Sequence, residues 1–232
     1  AVVQYLNPSD PARQIANSHT LFNIVNVIIL LPFSKLIVKL AMLIIPDKSD
    51  DTIDDENAVT KYLDVRMLET PAIAYANIER EALRMGEKAK QSFISATTGL
   101  VEKSQNKANE AFDKEKLINK QQKKIIDYLI KLSNRSLDEK MRASLDLLFH
   151  TINDIERVGD LSENIAELAE DSIKNSIRIS IQAKEEIDVI FNKALEAYDL
   201  CLEAMKKNDV SIAERVLRLE EEVDDLDKEY RH

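Results

Sequence analysis

The segment His150–Glu170, HTINDIERVGDLSENIAELAE, holds no proline and a single glycine, and it continues a periodic apolar run that begins upstream. Met141, Leu145, Leu148, Ile152, Ile155 and Gly159 step alternately by four and three residues. That spacing keeps them on one stripe of an α-helix, as in the buried seam of a helical bundle. The same rhythm recurs in Ala183, Ile187, Ile190, Ala194, Ala197, Cys201 and Ala204, and in Ile212, Val216, Leu219, Val223 and Leu226. Pro71 is the last proline, and Gly86, Gly99 and Gly159 are the only glycines. With few alternating β-branched runs, everything after Pro71 reads as all-α. Five helices are expected, at about 70–104, 109–133, 137–173, 177–207 and 211–232. Ser136–Glu139 and Ser211–Glu214 have capping-box spacing and mark two of the starts. Three long antiparallel helices close a bundle, so 70–173 forms one and 177–232 two-thirds of a second. Cys201, on a seam, is expected as a small core residue.

Charge divides the chain unevenly. Residues 1–46 carry Arg13, Lys35 and Lys39 against Asp10, a net of +2. The chain's net charge of −10 therefore leaves −12 for residues 47–232. An acidic body repels a phosphate backbone, which argues against a nucleic-acid partner, while it suits cations. One cysteine and no CxxC exclude an internal disulfide or a thiolate zinc site. Neither end of the sequence has the form of a complete terminus: it lacks an initiator Met and a signal peptide, and it stops at KEYRH within a helical pattern. A fragment is expected.

From Leu21 to Ile45 runs LFNIVNVIILLPFSKLIVKLAMLII, whose only charges are Lys35 and Lys39. A helix of that length exceeds the roughly 30 Å hydrocarbon core, so a transmembrane helix is expected at about 20–45. The alternative is an amphipathic helix in the interface. The two lysines can reach one membrane surface, which places the following body in the cytoplasm. His19, Asn23 and Asn26 make a polar stripe along the first part of the span and imply partner helices. DKSDDTIDDEN, residues 47–57, reads as an acidic connector. The expected organisation is therefore 1–46 as the end of a membrane domain, 47–66 as an acidic linker and 67–232 as the helical body.

Two carboxylate pairs stand one helical turn apart beside the seams. They are Glu156 and Asp160 in ERVGD, with Asn153 and Glu163 extending the stripe, and Glu220 and Asp224 in EEEVD. Such pairs can chelate hard divalent cations when a facing helix supplies more oxygens, and Gly159 suits a close helix approach. In so charged a chain the same pairs also arise as a hydrated face. No histidine accompanies them, so a di-iron ExxH site is not indicated. Walker, GxGxxG, HExxH and GxSxG motifs are absent, and no catalytic residue is suggested.

RQIANSHTLFNIVNVIILLPF (13–33) resembles the last membrane segment of bacterial sodium/phosphate cotransporters. YLDVRMLETPAIAYANIEREALRMG (62–86), with HTINDIERVGDLSENIAELAE further on, resembles the PhoU-like domain that follows it there. The resemblance implies an inner-membrane symporter, multi-pass when complete, that moves inorganic phosphate with sodium. It also implies a cytoplasmic PhoU-like bundle of two three-helix repeats, here without its last helix. A membrane-tethered PhoU-like regulator without transport activity is the alternative. Through the resemblance Glu156, Asp160, Glu220 and Asp224 match metal-cluster motifs, for a divalent metal or an iron cluster. A third motif falls on EKLIN, where Glu115 is in place but Asn119 stands where aspartate is expected. Partners implied are inorganic phosphate, sodium, the lipid bilayer and a further copy in a homo-oligomer, with no nucleic acid; no enzymatic activity is implied.

Overall fold

A computed structural model describes residues 19–28 and 59–231, and every regular element among them is helical. Residues 19–28 form helix α1. The predicted transmembrane segment lies outside the described residues beyond position 28. Among the described residues no helix is long and apolar enough to cross a membrane. The chain divides into two units, Ala1–Ile53 and Asp54–His232. The second unit holds all the remaining helices described.

A 3₁₀ turn, Val65–Glu69, leads into α2 (Pro71–Glu102), α3 (Gln105–Ser133), α4 (Glu139–Lys174), α5 (Ile181–Lys207) and α6 (Val210–Tyr230). These are the five expected helices, with ends displaced by up to four residues. Pro71 opens α2, where its missing N–H would have had no helical partner. Lys103, at φ 56°, turns the chain out of α2 in the left-handed region, and Ser104 caps α3. The capping-box positions are corrected. Asp138 caps α4 by accepting from Met141 N at 2.7 Å, and Asp209 caps α6 by accepting from Ser211 N at 2.9 Å. A carboxylate at the positive end of a helix outcompetes a serine hydroxyl. Ser211 instead lies inside α6 and donates its hydroxyl to Asp209.

Helices α2, α3 and α4 pack on one another in a closed three-helix bundle. Its core is built from Ile78, Met85, Ile118, Ile125, Leu132 and Ile152, all fully buried. Toward the other end the contacts are Ala96, Ala108, Ala111, Ala166 and Ala169, and such small side chains let the helix axes approach closely. At Gly99 an added Cβ would stand 3.0 Å from the backbone nitrogen of Ala108. The seam expected on α4 is buried from Leu145 to Gly159 and continues through Ser162, Ala166, Ala169 and Ser172.

Helices α5 and α6 form a hairpin, and α5 alone of the two touches the bundle, through α2. Leu202 rests on Gly86, and the Tyr198 hydroxyl donates to the Gly86 carbonyl at 3.2 Å. The seam expected on α6 faces inward, with Ile212 and Leu219 buried. The expectation for α5 is corrected: its only buried residue is Leu202, and Cys201 is exposed. A heptad seam is enclosed only when helices cover it from both sides, and among the described residues α5 meets only α6 and α2.

The segment expected as the last part of the linker is docked from Lys61 onward. Glu81, with no solvent exposure, accepts from the backbone amides of Lys61 and Tyr62, the latter at 2.7 Å. It also accepts from Arg84 Nη1 at 2.9 Å and Gln121 Nε2 at 2.8 Å. Tyr128 donates to the Asp64 carbonyl at 2.8 Å, and Leu68 is buried beneath the 3₁₀ turn. A carboxylate out of contact with water survives only when its oxygens are saturated with donors.

Two substitutions check this packing. Glu81→Ala removes the shared acceptor of four donors and should cost about 3 kcal/mol in denaturant unfolding, with faster hydrogen exchange at Lys61 and Tyr62. Gly99→Ala should destabilise by roughly 1–3 kcal/mol because the obstacle is backbone. Gly159→Ala should be nearly neutral. There the new methyl meets the Ile118 side chain at 3.3 Å, and the helix gains about 1 kcal/mol in propensity.

Candidate carboxylate site

Glu115 belongs to a stripe of α3 that runs Ala108, Ala111, Glu115, Ile118, all buried. The helix therefore carries the carboxylate inward, to 5% exposure. Across from it, Glu156, Asp160 and Glu163 flank the α4 seam and are half-buried. Gly159 lies between them, and the close approach of α3 brings Ile118 against it.

The charges of this patch act on Glu115 and Glu156. Burial raises the pKa of Glu115 first, then the charges of Glu163 and Asp160, with Glu156 adding a smaller push and Lys116 opposing. Burial followed by the Asp160 charge raises Glu156. Asn119 answers part of this excess: its Nδ2 donates to Glu115 Oε1. An aspartate at that position would add a fifth negative charge in place of a donor. The Asn119 side-chain oxygen is left buried without a hydrogen-bond partner. Gln122 donates to Asn153 Oδ1 at 3.1 Å, closing the α3–α4 contact one turn away.

The structure thus unites Glu115, Glu156 and Asp160 in one patch and adds Glu163. It keeps Glu220 and Asp224 elsewhere. Both are exposed on α6, which packs on α5 and on no other helix described. Among the described residues no three histidine, cysteine, aspartate or glutamate side chains converge closely enough to hold a metal ion. Asn119 acts here as a donor to Glu115, and the second pair lies on another helix, as expected for a motif of the second repeat.

Glu81 was not singled out from the sequence, although the signal was there. Ala74, Ile78, Glu81 and Met85 step by four, three and four, so a charge falls directly on the α2 seam. A charged residue at a seam position, with Arg84 three residues on, marks a buried ion pair.

Among known proteins, residues 82–169, from the middle of α2 to near the end of α4, match the PhoU domain family. The chain is 26% identical over 226 residues, 95% of its length, to the Escherichia coli K12 protein named "Putative inorganic phosphate export protein YjbB". The Salmonella typhimurium LT2 protein of the same name is 26% identical over 219 residues, 92% of this chain. The chain spans about 40% of the length of these relatives. No solved structure matches it.

The repulsion in the patch predicts a pH effect of definite sign. A carboxylate whose folded pKa is raised weakens the fold when ionised, and the penalty vanishes as pH falls below its unfolded value. Glu115→Gln keeps an acceptor for Asn119 while removing the charge. It should raise the melting temperature at pH 7 by about 2 °C, with the difference from the parent shrinking to nothing near pH 4. A lower melting temperature for the variant at pH 7 would contradict this account.

Proposed function

We propose that this chain is part of a longer bacterial membrane transporter of inorganic phosphate, a sodium-dependent symporter, and that its PhoU-like body regulates transport from the cytoplasmic side. The observation that carries the reading is order along the chain. An apolar stretch of membrane-spanning length, Leu21–Ile45, stands directly before a helical body whose residues 82–169 match the PhoU domain. The similarity to the phosphate export relatives covers both parts together.

The export named for the relatives and the symport proposed here are compatible in physical terms. A coupled carrier is reversible, and the direction of net flux follows from the sodium and phosphate gradients and the coupling ratio. Orientation is supported by Lys35 and Lys39, which favour the cytoplasmic surface. What the body offers is a closed helical bundle with an acidic α3–α4 patch, suited to responding to ion levels beside an attached membrane domain.

Two measurements decide the matter. Labelled phosphate should move across proteoliposomes containing the complete protein, and should stop moving when sodium is replaced by potassium on both sides. Flux indifferent to sodium would remove the symport, and no flux in either direction would remove transport altogether. Cys201, the only cysteine of these 232 residues and an exposed one, supplies the topology test in a complete protein whose other cysteines, where present, are replaced by serine. A membrane-impermeant maleimide should label it in inside-out vesicles and not in intact cells.

A further inference from the structure

A concavity of the body lies between α2 and α5, an open groove of about 950 Å³. It is lined by five cations in a chain whose net charge is −10. Arg80, Arg84 and Lys88 descend one face of α2 at intervals of one turn, and Lys206 and Lys207 face them from the last turn of α5. Three carboxylates, Glu87, Asp199 and Glu203, share the lining.

The pairings decide which charges remain available. Glu203 holds Lys207 at 2.6 Å, and Asp199 holds Lys90, outside the groove, at 2.5 Å. Arg84 is committed to Glu81. That leaves Arg80, Lys88 and Lys206 with no carboxylate in ion-pair contact among the described residues, against Glu87 alone. Arg80 lies over the Tyr62 ring, 5.9 Å from its centroid. Lys88 has only the neutral Gln121 oxygen, at 2.9 Å. Burial, and then the Arg84 charge, push the Lys88 pKa down, against a smaller upward pull from the Glu81 charge. The walls between these cations are apolar, made by Leu83, Leu202 and the Tyr62 ring.

We infer that the α2–α5 groove binds a phosphoryl anion, held by Arg80, Lys88 and Lys206, with room against its apolar walls for an organic group attached to that anion. Guanidinium and ammonium side chains lining one concavity supply the donor types that suit the oxygens of a phosphoryl group. The free cations outnumber the free carboxylate there by three to one, so an anion relieves repulsion where one more cation would add to it. The chemistry is shared by inorganic phosphate and by the phosphate of a nucleotide; the Tyr62 and Leu202 surfaces favour neither on charge alone. The inference does not depend on the transport reading. Flux can couple to sodium with this groove vacant, and the groove can bind phosphate in a chain that transports nothing.

Equilibrium dialysis of the 232-residue chain in mild detergent, with labelled orthophosphate in one arm and labelled ATP in another, tests it. Saturable binding of one equivalent in the orthophosphate arm assigns free phosphate. Saturable binding in the ATP arm alone assigns an organic phosphate. In either case the Arg80→Gln/Lys206→Gln double variant should weaken binding about tenfold or more. Neither residue has an ion pair to lose, and Arg80 gives up only its contact with the Tyr62 ring, so the double variant should stay folded and melt close to the parent. Lys88→Gln should weaken binding as well, and Lys184→Gln, outside the groove, should leave it unchanged. No saturable binding in either arm up to about 1 mM, or binding indifferent to the double variant, overturns the inference.

Discussion

A carboxylate sealed from water must be fully saturated with donors, and the second unit of this protein is arranged around one. Glu81 gathers donors from the segment before α2, from α2 itself and from α3. Its relay through Gln121 reaches Lys88 on the groove side. Single interactions of this kind add little net stability over an apolar pair of the same shape, but breaking one half leaves a buried charge alone. The result is specificity: only one docking of residues 61–64 satisfies the carboxylate. The approach to α2 is thereby tied to the bundle at a fixed point.

Much of the architecture was legible in the heptad steps. The seams of α4 and α6 and the tight approach at Gly159 follow from which residues recur every three and four positions, and the closure of α2, α3 and α4 from the number and length of the helices. What was not legible depends on neighbours rather than on the helix itself. The α5 pattern promises a buried stripe that includes Cys201, yet burial requires a second helix over that stripe, which no periodicity within α5 can supply. Helix starts were missed by two residues or fewer at α4 and α6 because serine and aspartate are both good caps, and the difference between Ser136 and Asp138 is electrostatic.

The candidate site divides along the same line. Spacing predicted that Glu156 and Asp160 share a face, Glu115 entered only through the family resemblance, and the bundle brings these three together. Spacing says nothing about distance between elements, so it could not reveal that Glu220 and Asp224 lie on a helix that never meets α4. Nor could it give the sense of the Asn119 amide. The substitution of a carboxylate by an amide reads as a lost ligand on paper. In the fold it is a gained donor, which lets Glu115 be buried with one of its oxygens occupied.

Charge and stability are therefore distributed unequally over the body. The closed bundle carries nearly all the fully buried side chains and the acidic α3–α4 patch. The α5–α6 hairpin contributes only Leu202, Ile212 and Leu219 as buried residues. It is held to α2 by a few contacts: Leu202 and Tyr198 on Gly86, the Lys90–Asp199 pair, and the edge-to-face rings of Phe93 and Phe191 at 5.6 Å. Elements with few buried apolar contacts open at lower free energy than the core they lean on. The seam between hairpin and bundle is thus the weakest joint of the unit, and it is the joint that the cationic groove spans. An anion bound there as proposed would contact α2 and α5 together and so favour their packed arrangement, since a difference in affinity is the only means by which a ligand shifts a conformational equilibrium. The Gln121 relay places that joint two hydrogen bonds from Glu81, and so from the residues 61–64 that lead into the body.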